Sequence, residues 1–326
     1  IPRIDFSDDA NGALLLEPTA TNIITYSEDF SNAAWAKSNS TTTANSEISP
    51  DGTLNASLWS HSGGSFPQLS FSGITFVSGA DYSPSLYVKS DGTTQVQHSL
   101  LVNNVVINFT PTNEWVRISD LIVSPDTSGS FVVAQNSSSA VSASFYIWGA
   151  QLEQNSYSTS YIKTAGTAQT RVADTATGAG SSTVINSTEG VLYAEIKTLS
   201  QTGTFRQINI SKDSSNRIYI SKRGDSNNLE FRMENPLGNL NFSFAQDTTT
   251  EFVKVAFRYG VNNFAVFING VNKNVTPTGN IFTAGTLNKL SLDNGSNTQP
   301  FYGKTKSLQV YTTALTDAEL ISLTTI

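Results

Sequence analysis

Apolar and polar residues alternate with a period of two along most of this chain. That period is typical of β-strands with one face towards a core and the other towards solvent. In the first half it predicts strands over 85–90, 94–102, 104–110, 114–123, 128–136 and 143–153. In the second half it predicts strands over 190–198, 205–212, 216–222, 228–235, 240–246, 251–260, 263–270, 288–295 and 305–313. Gly, Pro, Asn and Asp fill the gaps, and strands spaced by about 10 residues indicate a sandwich or jelly roll.

Three local signals predict a turn and two helical segments. Asn269-Gly270 lies between apolar runs and predicts a two-residue hairpin, because both central residues of such a turn need positive φ. Residues 27–37 could form one short turn of helix. Thr316 and Glu319 have the spacing of a capping box, and the apolar residues behind them predict a C-terminal helix.

A segment without periodicity, 164–184, separates the two halves and is rich in small polar residues. The 326 residues of the chain suit two domains of about 150 residues each. We therefore predict an all-β protein with two tandem antiparallel β-sandwich (jelly-roll) domains and a short C-terminal helix. An N-terminal extended segment covers 1–26, the first sandwich 27–167 and the second sandwich 168–326.

Two apolar stretches are expected to hold segments in place. The triplet Leu14–Leu16 should pack against something, and a partner chain is a natural candidate. The strand over 143–153 should close the first sandwich, with Tyr157 and Tyr161 anchoring the exit segment against that domain.

Composition excludes several classes of function. The net charge of −7 gives no electrostatic footprint for nucleic acid. No apolar run approaches the roughly 20 residues needed to span a bilayer. The chain has no cysteine, which excludes disulfides, thiolate metal sites and cysteine nucleophiles. Since it starts at Ile1 and has no signal-peptide pattern, we expect it to be a fragment of a longer polypeptide.

Catalytic patterns are scarce. The two histidines, His61 and His98, lie far from any metal-ligand spacing, and His98 alternates on a strand with apolar neighbours. Glu230 and Glu234 share one strand face about 13 Å apart, too far for a glycosidase pair, although an acid from a neighbouring strand could complete a site. We expect no catalytic residue and no cofactor. A structural calcium ion near Asp51 or Asp293 stays an open alternative.

Binding has better candidates, because alternation on three strands of the second half separates two faces. One face is apolar and should form the core. The other carries planar hydrogen-bonding groups and one aromatic ring, which suit sugar hydroxyls and the C–H face of a sugar. The alternative is an ordinary solvated face whose Glu and Arg side chains pair across strands. The candidates on this face are Gln207, Asn209, Arg217, Tyr219, Glu230, Arg232 and Glu234.

The first half adds Trp59 and His61, which lie in the Gly-rich stretch "WSHSGG", as further carbohydrate-binding candidates. Trp35, Trp115 and Trp148 could also stack on sugars. Trp115 and Trp148 alternate within strands and are more consistent with core positions.

Four stretches carry a family resemblance, two in each half of the chain. The sequence "PRIDFSDDANGALLLEPTATNIITYSEDFSNAAW" (2–35) resembles a segment of bacteriophage and prophage virion proteins, commonly tail or fibre components. The sequence "YIWGAQLEQNSYSTSYIKTAGTAQTRVADTA" (146–176) is similar to the end of the carbohydrate-binding-module-like jelly roll in those proteins. The second half resembles concanavalin A-like (laminin G-like) domains over 251–273 and 301–320.

The resemblance implies a phage virion appendage, such as a tail fibre, tailspike or capsid fibre, on the particle surface. It implies non-enzymatic adhesion to a host-surface glycan, contacts with other virion proteins and a homotrimer. Nucleic-acid binding and membrane insertion are not expected. A purely structural virion decoration or connector is the first alternative, and a polysaccharide depolymerase is the second.

Overall fold

The computed structural model describes residues 3–93, 95–199, 205–273, 275 and 278–326. Its contacts divide the chain into two compact units. The inserted unit is Thr19–Val172, and the split unit consists of the residues up to Pro18 together with Ala173–Ile326. Thr94, with which one predicted strand begins, lies outside the described residues.

Two short strands precede the inserted unit, β1 (Arg3–Asp5) and β2 (Ala13–Leu16). They form an antiparallel pair in which Ile4 lies opposite Leu14. The turn between them is acidic, and Gly12 within it has a φ of 74°, the left-handed region that favours glycine.

The described residues of the inserted unit form thirteen strands. They are β3 (Ala20–Asn22), β4 (Trp35–Ser38), β5 (Thr41–Ile48), β6 (Leu54–His61), β7 (Gln68–Thr75), β8 (Asp81–Ser90), β9 (His98–Val102), β10 (Val105–Phe109), β11 (Val116–Ser119), β12 (Ile122–Val123), β13 (Ser128–Ala134), β14 (Ala143–Glu153) and β15 (Gln169–Arg171). One sheet has the order β10-β9-β13-β7-β4, and the other has the order β11-β8-β14-β6-β5 with β12 beside β8. β15 pairs with β3.

Aromatic side chains fill the space between the two main sheets of this unit. The ring of Trp35 lies 5.3 Å from Phe71 and 6.0 Å from Phe131, measured between centroids. Trp59 and Phe145 meet at 5.1 Å. These rings belong to one continuous buried cluster, so the unit has its own core.

The predicted helical turn over 27–37 is wrong. The chain forms turns there, and the Asp29 carboxylate accepts hydrogen bonds from the Ser31 hydroxyl at 2.5 Å and from the Asn32 backbone N–H at 3.1 Å. Such side-chain bonds compete with helix formation. The strands β4 to β7 were not predicted. In β5 the apolar pattern is weak, because no residue is fully buried. In β7, by contrast, Leu69 and Phe71 alternate with serines and are buried, so the signal was present and was missed.

Where the structure describes the rest of the split unit, it has ten strands and a helix. They are β16 (Glu189–Thr198), β17 (Arg206–Asp213), β18 (Asn216–Lys222), β19 (Asn228–Glu234), β20 (Leu240–Ala245), β21 (Val253–Gly260), β22 (Ala265–Ile268), β23 (Val271–Asn272), β24 (Lys289–Ser291), β25 (Gly303–Tyr311) and α1 (Asp317–Thr324). One sheet has the order β1-β2-β25-β16-β21-β22-β23, and the other has the order β20-β19-β18-β17-β24. Their inner faces share one large core.

Local signals in this unit are confirmed. Asn269 and Gly270 have φ values of 48° and 76° and join β22 to β23. Thr316 caps α1, and both hydrogen bonds of its capping box with Glu319 are present. The all-β class, the two sandwiches and the short C-terminal helix are as predicted. Among the described residues, no helix is long and apolar enough to cross a membrane.

The N-terminal segment differs from the extended segment expected over 1–26. β2 pairs with β25, and Leu16 is only 2% exposed, so the Leu14–Leu16 triplet is covered by its own chain rather than by a partner. The unit boundaries accordingly fall after Pro18 and after Val172, whereas the sequence suggested boundaries after 26 and 167.

Ion pairs attach the acidic turn between β1 and β2 to the same sheet. Lys304 lies 3.0 Å from Asp5 and 2.6 Å from Asp8, and Lys306 lies 3.0 Å from Asp9. Burial alone would raise the pKa of Asp5, but hydrogen bonds from Ser7 and Lys304 outweigh it, and the pKa is lowered. The "DFSDD" part of the segment 2–35 therefore has a structural role.

Candidate functional site

The two faces predicted on β17, β18 and β19 are present. Their apolar residues point to the core, and each is at most 1% exposed: Ile208, Ile210, Ile218, Ile220, Leu229, Phe231 and Met233. Since strands alternate their faces, the seven polar candidates lie on the opposite side of the sheet. Four of these seven side chains contact one another in one group, and the other three are buried against other residues.

Four of the candidates meet in one group, the Arg217 cluster, which consists of Arg217, Tyr219, Arg232 and Glu234. The Glu234 carboxylate accepts hydrogen bonds from Arg217 Nε at 2.7 Å and from the Tyr219 hydroxyl at 3.0 Å. An Arg232 guanidinium nitrogen lies 3.3 Å from the same carboxylate. The Arg217 guanidinium lies 4.7 Å from the centroid of the Tyr219 ring, a cation–π contact.

These contacts fix the charge of the cluster. Burial would raise the pKa of Glu234, but the hydrogen bond and charge of Arg217 outweigh it, so this pKa is lowered. Burial and the neighbouring Glu234 charge raise the pKa of Tyr219. At neutral pH the carboxylate is therefore ionised and the phenol keeps its proton.

The other three candidates on this sheet are covered. Gln207 is 4% exposed, and its amide donates to Gln299 Oε1 at 2.7 Å. Asn209 is fully buried and donates to the Asp293 carbonyl at 2.5 Å. Glu230 is 3% exposed and pairs with Arg223 at 2.6 Å. Tyr219 of the Arg217 cluster is covered as well, at 2% exposed, so its ring is not available for the stacking on a sugar expected of it. A ligand on this face would meet Arg217, Arg232 and Glu234.

A cavity of about 370 Å³ lies beside Glu234. Its other lining residues come from two hairpins, β17–β18 and β19–β20, which meet at one edge of the sheet because Arg217 pairs with Glu234 across β18 and β19. The described lining residues are Ser214, Ser215, Glu234, Asn235, Pro236, Gly238 and Asn239. Except for Glu234 they are uncharged, and the serines and asparagines carry hydroxyl and amide groups.

Asn235 contributes an unpaired hydrogen-bond donor to this cavity. The side chain is 6% exposed, and its Oδ1 accepts a hydrogen bond from the Leu237 backbone N–H at 2.9 Å. Its Nδ2 is buried without a hydrogen-bond partner. A buried donor left unpaired costs about 1–3 kcal/mol, so this amide is ready to donate to a bound group.

Sequence analysis missed Asn235, Asn239 and the two serines because they lie just outside the strands. The sequence did contain a signal for this grouping. Adjacent antiparallel strands place the turn after β17 and the turn after β19 at the same end of the sheet. Polar turn residues in both hairpins could therefore have been grouped with Glu234.

In the inserted unit, Trp59 is fully buried in the core and offers no face to a ligand, in contrast to the role expected for it. His61 is 6% exposed, and its Nε2 lies 3.3 Å from Nε2 of His98. It lines an open cavity of about 700 Å³ whose other described lining residues are Ser, Thr, Asn and Gly.

The remaining tryptophans do not form a stacking surface. Trp35 is 1% exposed, and Trp148 lies between Tyr87 and Tyr161 at 5.4 and 4.4 Å. Trp115 is half-buried rather than in the core, and its indole N–H donates to the Ile48 carbonyl at 2.9 Å.

The aspartates considered for calcium are engaged by their own loops. Asp51 accepts hydrogen bonds from Ser49 and Thr53, which lower its pKa to about 2. Asp293 accepts one from the Gly295 backbone N–H at 2.5 Å. In the part of the chain that the structure describes, no three His, Asp or Glu side chains are grouped to hold a metal ion. A structural calcium ion stays a prediction.

The "GAQLEQ" stretch supplies a buried polar network. Glu153 is fully buried and accepts hydrogen bonds from the Thr159 backbone N–H and from Gln151 Nε2, both at 2.8 Å. Burial raises the pKa of Glu153. Tyr161 bonds to Ser27 at 2.6 Å, which supports its expected anchoring role. The network joins the exit segment to β14, so these residues hold the unit together.

Residues 173–321 match the family model described as the concanavalin A-like lectin/glucanases superfamily. The match confirms the resemblance expected for the second half of the chain. Because that description covers lectins and glucanases alike, it leaves binding and hydrolysis open. A search of curated proteins returned no match.

Several solved structures are similar to parts of this chain. The CBM40 module of the Ruminococcus gnavus IT-sialidase, bound to alpha2,3 sialyllactose, is 19% identical with a TM-score of 0.36, and the match covers 46% of this chain and 94% of that one. The leech intramolecular trans-sialidase is 19% identical with a TM-score of 0.33, covering 43% and 23%. Mouse laminin alpha1 domains LG4-5 are 9% identical with a TM-score of 0.30, covering 76% and 90%. TM-scores of this size do not assign the chain to any of these groups.

Proposed function

We propose that this chain is a glycan-binding adhesin that acts without catalysis, and that the cavity beside Glu234 is its binding site in the split unit. The observation that carries the proposal is the buried, unpaired Nδ2 of Asn235 in a cavity lined by hydroxyl and amide groups. Sugar hydroxyls both donate and accept hydrogen bonds, so they match this mixture of groups.

The Arg217 cluster suits the same ligand class. A carboxylate has about four lone-pair positions, and hydrogen bonds from Arg217 and Tyr219 fill two of those of Glu234, while Arg232 forms an ion pair with it at 3.3 Å. The positions that are left can accept a sugar hydroxyl, while Asn235 Nδ2 donates to another. Arg232, whose side chain is 31% exposed, can contact the rim of a bound sugar.

The same geometry argues against hydrolysis at this site. A glycosidase needs one carboxylic acid with a raised pKa and a second carboxylate nearby. The pKa of Glu234 is lowered instead, and Glu230 is buried against Arg223. A polysaccharide depolymerase would release reducing ends or unsaturated sugars from host polysaccharide, and detection of either would overturn the non-enzymatic part of the proposal.

The setting on a bacteriophage is a separate part of the proposal and rests on the sequence resemblance over 2–35 and 146–176. We propose that the adhesin belongs to a tail fibre, tailspike or capsid fibre, where it contacts other virion proteins as a homotrimer. Three copies would strengthen weak individual sites through avidity. Size-exclusion chromatography with light scattering tests the trimer, and antibody labelling of intact particles tests the location.

The binding site is tested on a glycan array by comparing the affinity of the wild-type full chain with that of the variant Asn235→Asp. This change keeps the oxygen that accepts from Leu237, replaces the unpaired donor by a second oxygen and adds a negative charge beside Glu234, so the Tm of the variant is measured together with its affinity. We expect at least a tenfold loss of glycan affinity. Asn227→Asp, an exposed site with the same change of charge, is the matched control and should bind as the wild type does. Equal affinity in the two variants would contradict the site.

A purely structural connector is the second candidate, favoured because the charges of the Arg217 cluster already pair with one another. The two functions differ in competition experiments. An adhesin added as purified protein should block adsorption of particles to host cells, and Asn235→Asp should block less. A connector would leave adsorption unchanged at any concentration.

A further inference from the structure

We infer a second ligand site, in the inserted unit, that binds a neutral sugar residue with its C–H face against Phe66. It rests on the proposed function for its ligand class but uses different residues from the cavity beside Glu234. The site is a cleft of about 240 Å³ on the outer face of the sheet β10-β9-β13-β7-β4.

The floor of this cleft is apolar although it faces away from the core. Leu101, Val132 and Ala134 line it, while their neighbours Leu100 and Val133 point inwards and are fully buried. Outward positions of a sandwich sheet are usually polar, so an apolar patch here is unusual for a surface that only meets water.

Gln135, the residue that follows β13, contributes an unpaired polar group to the lining of the cleft. Its side chain is 8% exposed, and its Oε1 is buried without a hydrogen-bond partner. The residue lines the cleft. An unpaired buried carbonyl oxygen calls for a donor, and a sugar hydroxyl is one.

Phe66 forms an exposed wall of the cleft in an unfavourable backbone conformation. It is 49% exposed and has a φ of 47°, a region that bulky residues rarely occupy. Hydrogen bonds hold it there: its N–H donates to the Ser137 carbonyl at 2.9 Å, and Asn39 Nδ2 donates to the Ser65 carbonyl at 2.7 Å. Backbone strain of this kind concentrates at ligand sites.

The chemistry of the lining selects the ligand. None of the described residues that line the cleft is charged, so an acidic or basic ligand would find no counter-ion. An aromatic ring, an apolar floor and amide groups together match a neutral pyranose, which has an apolar C–H face and a rim of hydroxyls. This separates the cleft from the other cavity, which is lined by the carboxylate of Glu234.

Two variants of the full chain test the cleft, with a panel of neutral oligosaccharides (maltotriose, cellotriose and mannotriose) as probes in saturation-transfer NMR and calorimetry. Phe66→Gly removes the aromatic wall and relieves the positive φ, so Tm should hold or rise while affinity falls at least tenfold. Gln135→Met keeps the shape of the side chain and removes the unpaired oxygen, so Tm should again hold or rise while affinity falls at least tenfold. A merely structural role would lower Tm instead.

Asn45→Gly is the matched control, because Asn45 also has positive φ, 52°, and does not line the cleft. It should leave affinity unchanged. Loss of neutral-sugar binding in the two cleft variants but not in Asn235→Asp supports the cleft. Retention of that binding in both cleft variants, or no binding of any neutral probe by the wild type, overturns it. Glycan-array binding that depends on Asn235 would still stand in either case.

Discussion

His61 and His98 form a buried pair whose protonation is set by its surroundings. His98 Nδ1 lies 2.8 Å from the Val96 carbonyl and must carry a hydrogen to bond with it. In a neutral ring His98 Nε2 is then an acceptor, so His61 Nε2 donates across the 3.3 Å contact. His61 Nδ1 in turn accepts from the Gly63 backbone N–H. All four ring nitrogens of the pair have a matching hydrogen-bond partner only when both rings are neutral.

This pair predicts acid sensitivity of the inserted unit. Burial lowers the pKa of His98 from 6.5 to about 4, so between these values the unfolded chain binds more protons than the folded chain. The free energy of unfolding should therefore fall as pH falls from 6.5 towards 4, by up to about 3 kcal/mol. All four tryptophans lie in this unit, so urea titrations followed by tryptophan fluorescence report on it alone.

His98→Gln is the test variant, since the Gln carbonyl can accept from His61 without titrating. We expect the pH dependence to become shallower in this range. The same slope in wild type and variant would show that other groups cause it.

At the scale of elements, β2 extends the sheet of the split unit by pairing with β25, and β1 forms the outer strand beyond it. Leu14 pairs with Thr305 and Leu16 with Gly303, and Leu16 belongs to the main core. A strand that is distant in sequence thus closes an edge that would otherwise be open to other chains.

Leu16→Ala should destabilise the split unit by about 2–4 kcal/mol, the cost of a buried leucine and of the cavity left behind. Hydrogen exchange of β25 should become faster, while tryptophan fluorescence of the other unit keeps its urea midpoint. Ile4→Ala is the control, because Ile4 is 53% exposed, and it should change stability by less than about 1 kcal/mol. Unchanged exchange in β25 with Leu16→Ala would contradict this role of β2.

At the scale of the whole molecule, the chain leaves and re-enters each unit at neighbouring points. In the split unit the Asp174 N–H donates to the Glu17 carbonyl at 2.9 Å. In the inserted unit Asn22 lies opposite Gln169 in the β3–β15 pair. Closely spaced ends are the geometry in which one domain can be inserted into another without strain.

We therefore predict that residues 19–172 can be removed and Pro18 joined to Ala173 by a short Gly-Ser linker without unfolding the split unit. Thermal unfolding followed by circular dichroism should be cooperative for this fragment and for 19–172 alone. A fragment of 173–326 should have a lower Tm than the joined one, because it lacks β1 and β2. Equal Tm values for those two fragments would show that the N-terminal strands contribute nothing.

The sequence alone determined the features that depend on near neighbours. Period-two alternation identified β14 over its full length and the inward face of β17 to β19, because a strand turns successive side chains to opposite sides. The turn at Asn269-Gly270 and the cap at Thr316 follow from dihedral preferences and hydrogen bonds within four residues.

Only the tertiary structure decided what depends on residues far apart in the chain. Asp5 meets Lys304 across 299 positions, and His61 meets His98 across 37. Gln207 is covered by Gln299, which alternation could not foresee. Asn235 Nδ2 and Gln135 Oε1 indicate ligand sites because they are buried without a hydrogen-bond partner, and only the folded structure shows this. A one-dimensional pattern records which face a side chain takes, whereas burial and pairing depend on which other segment arrives at that face.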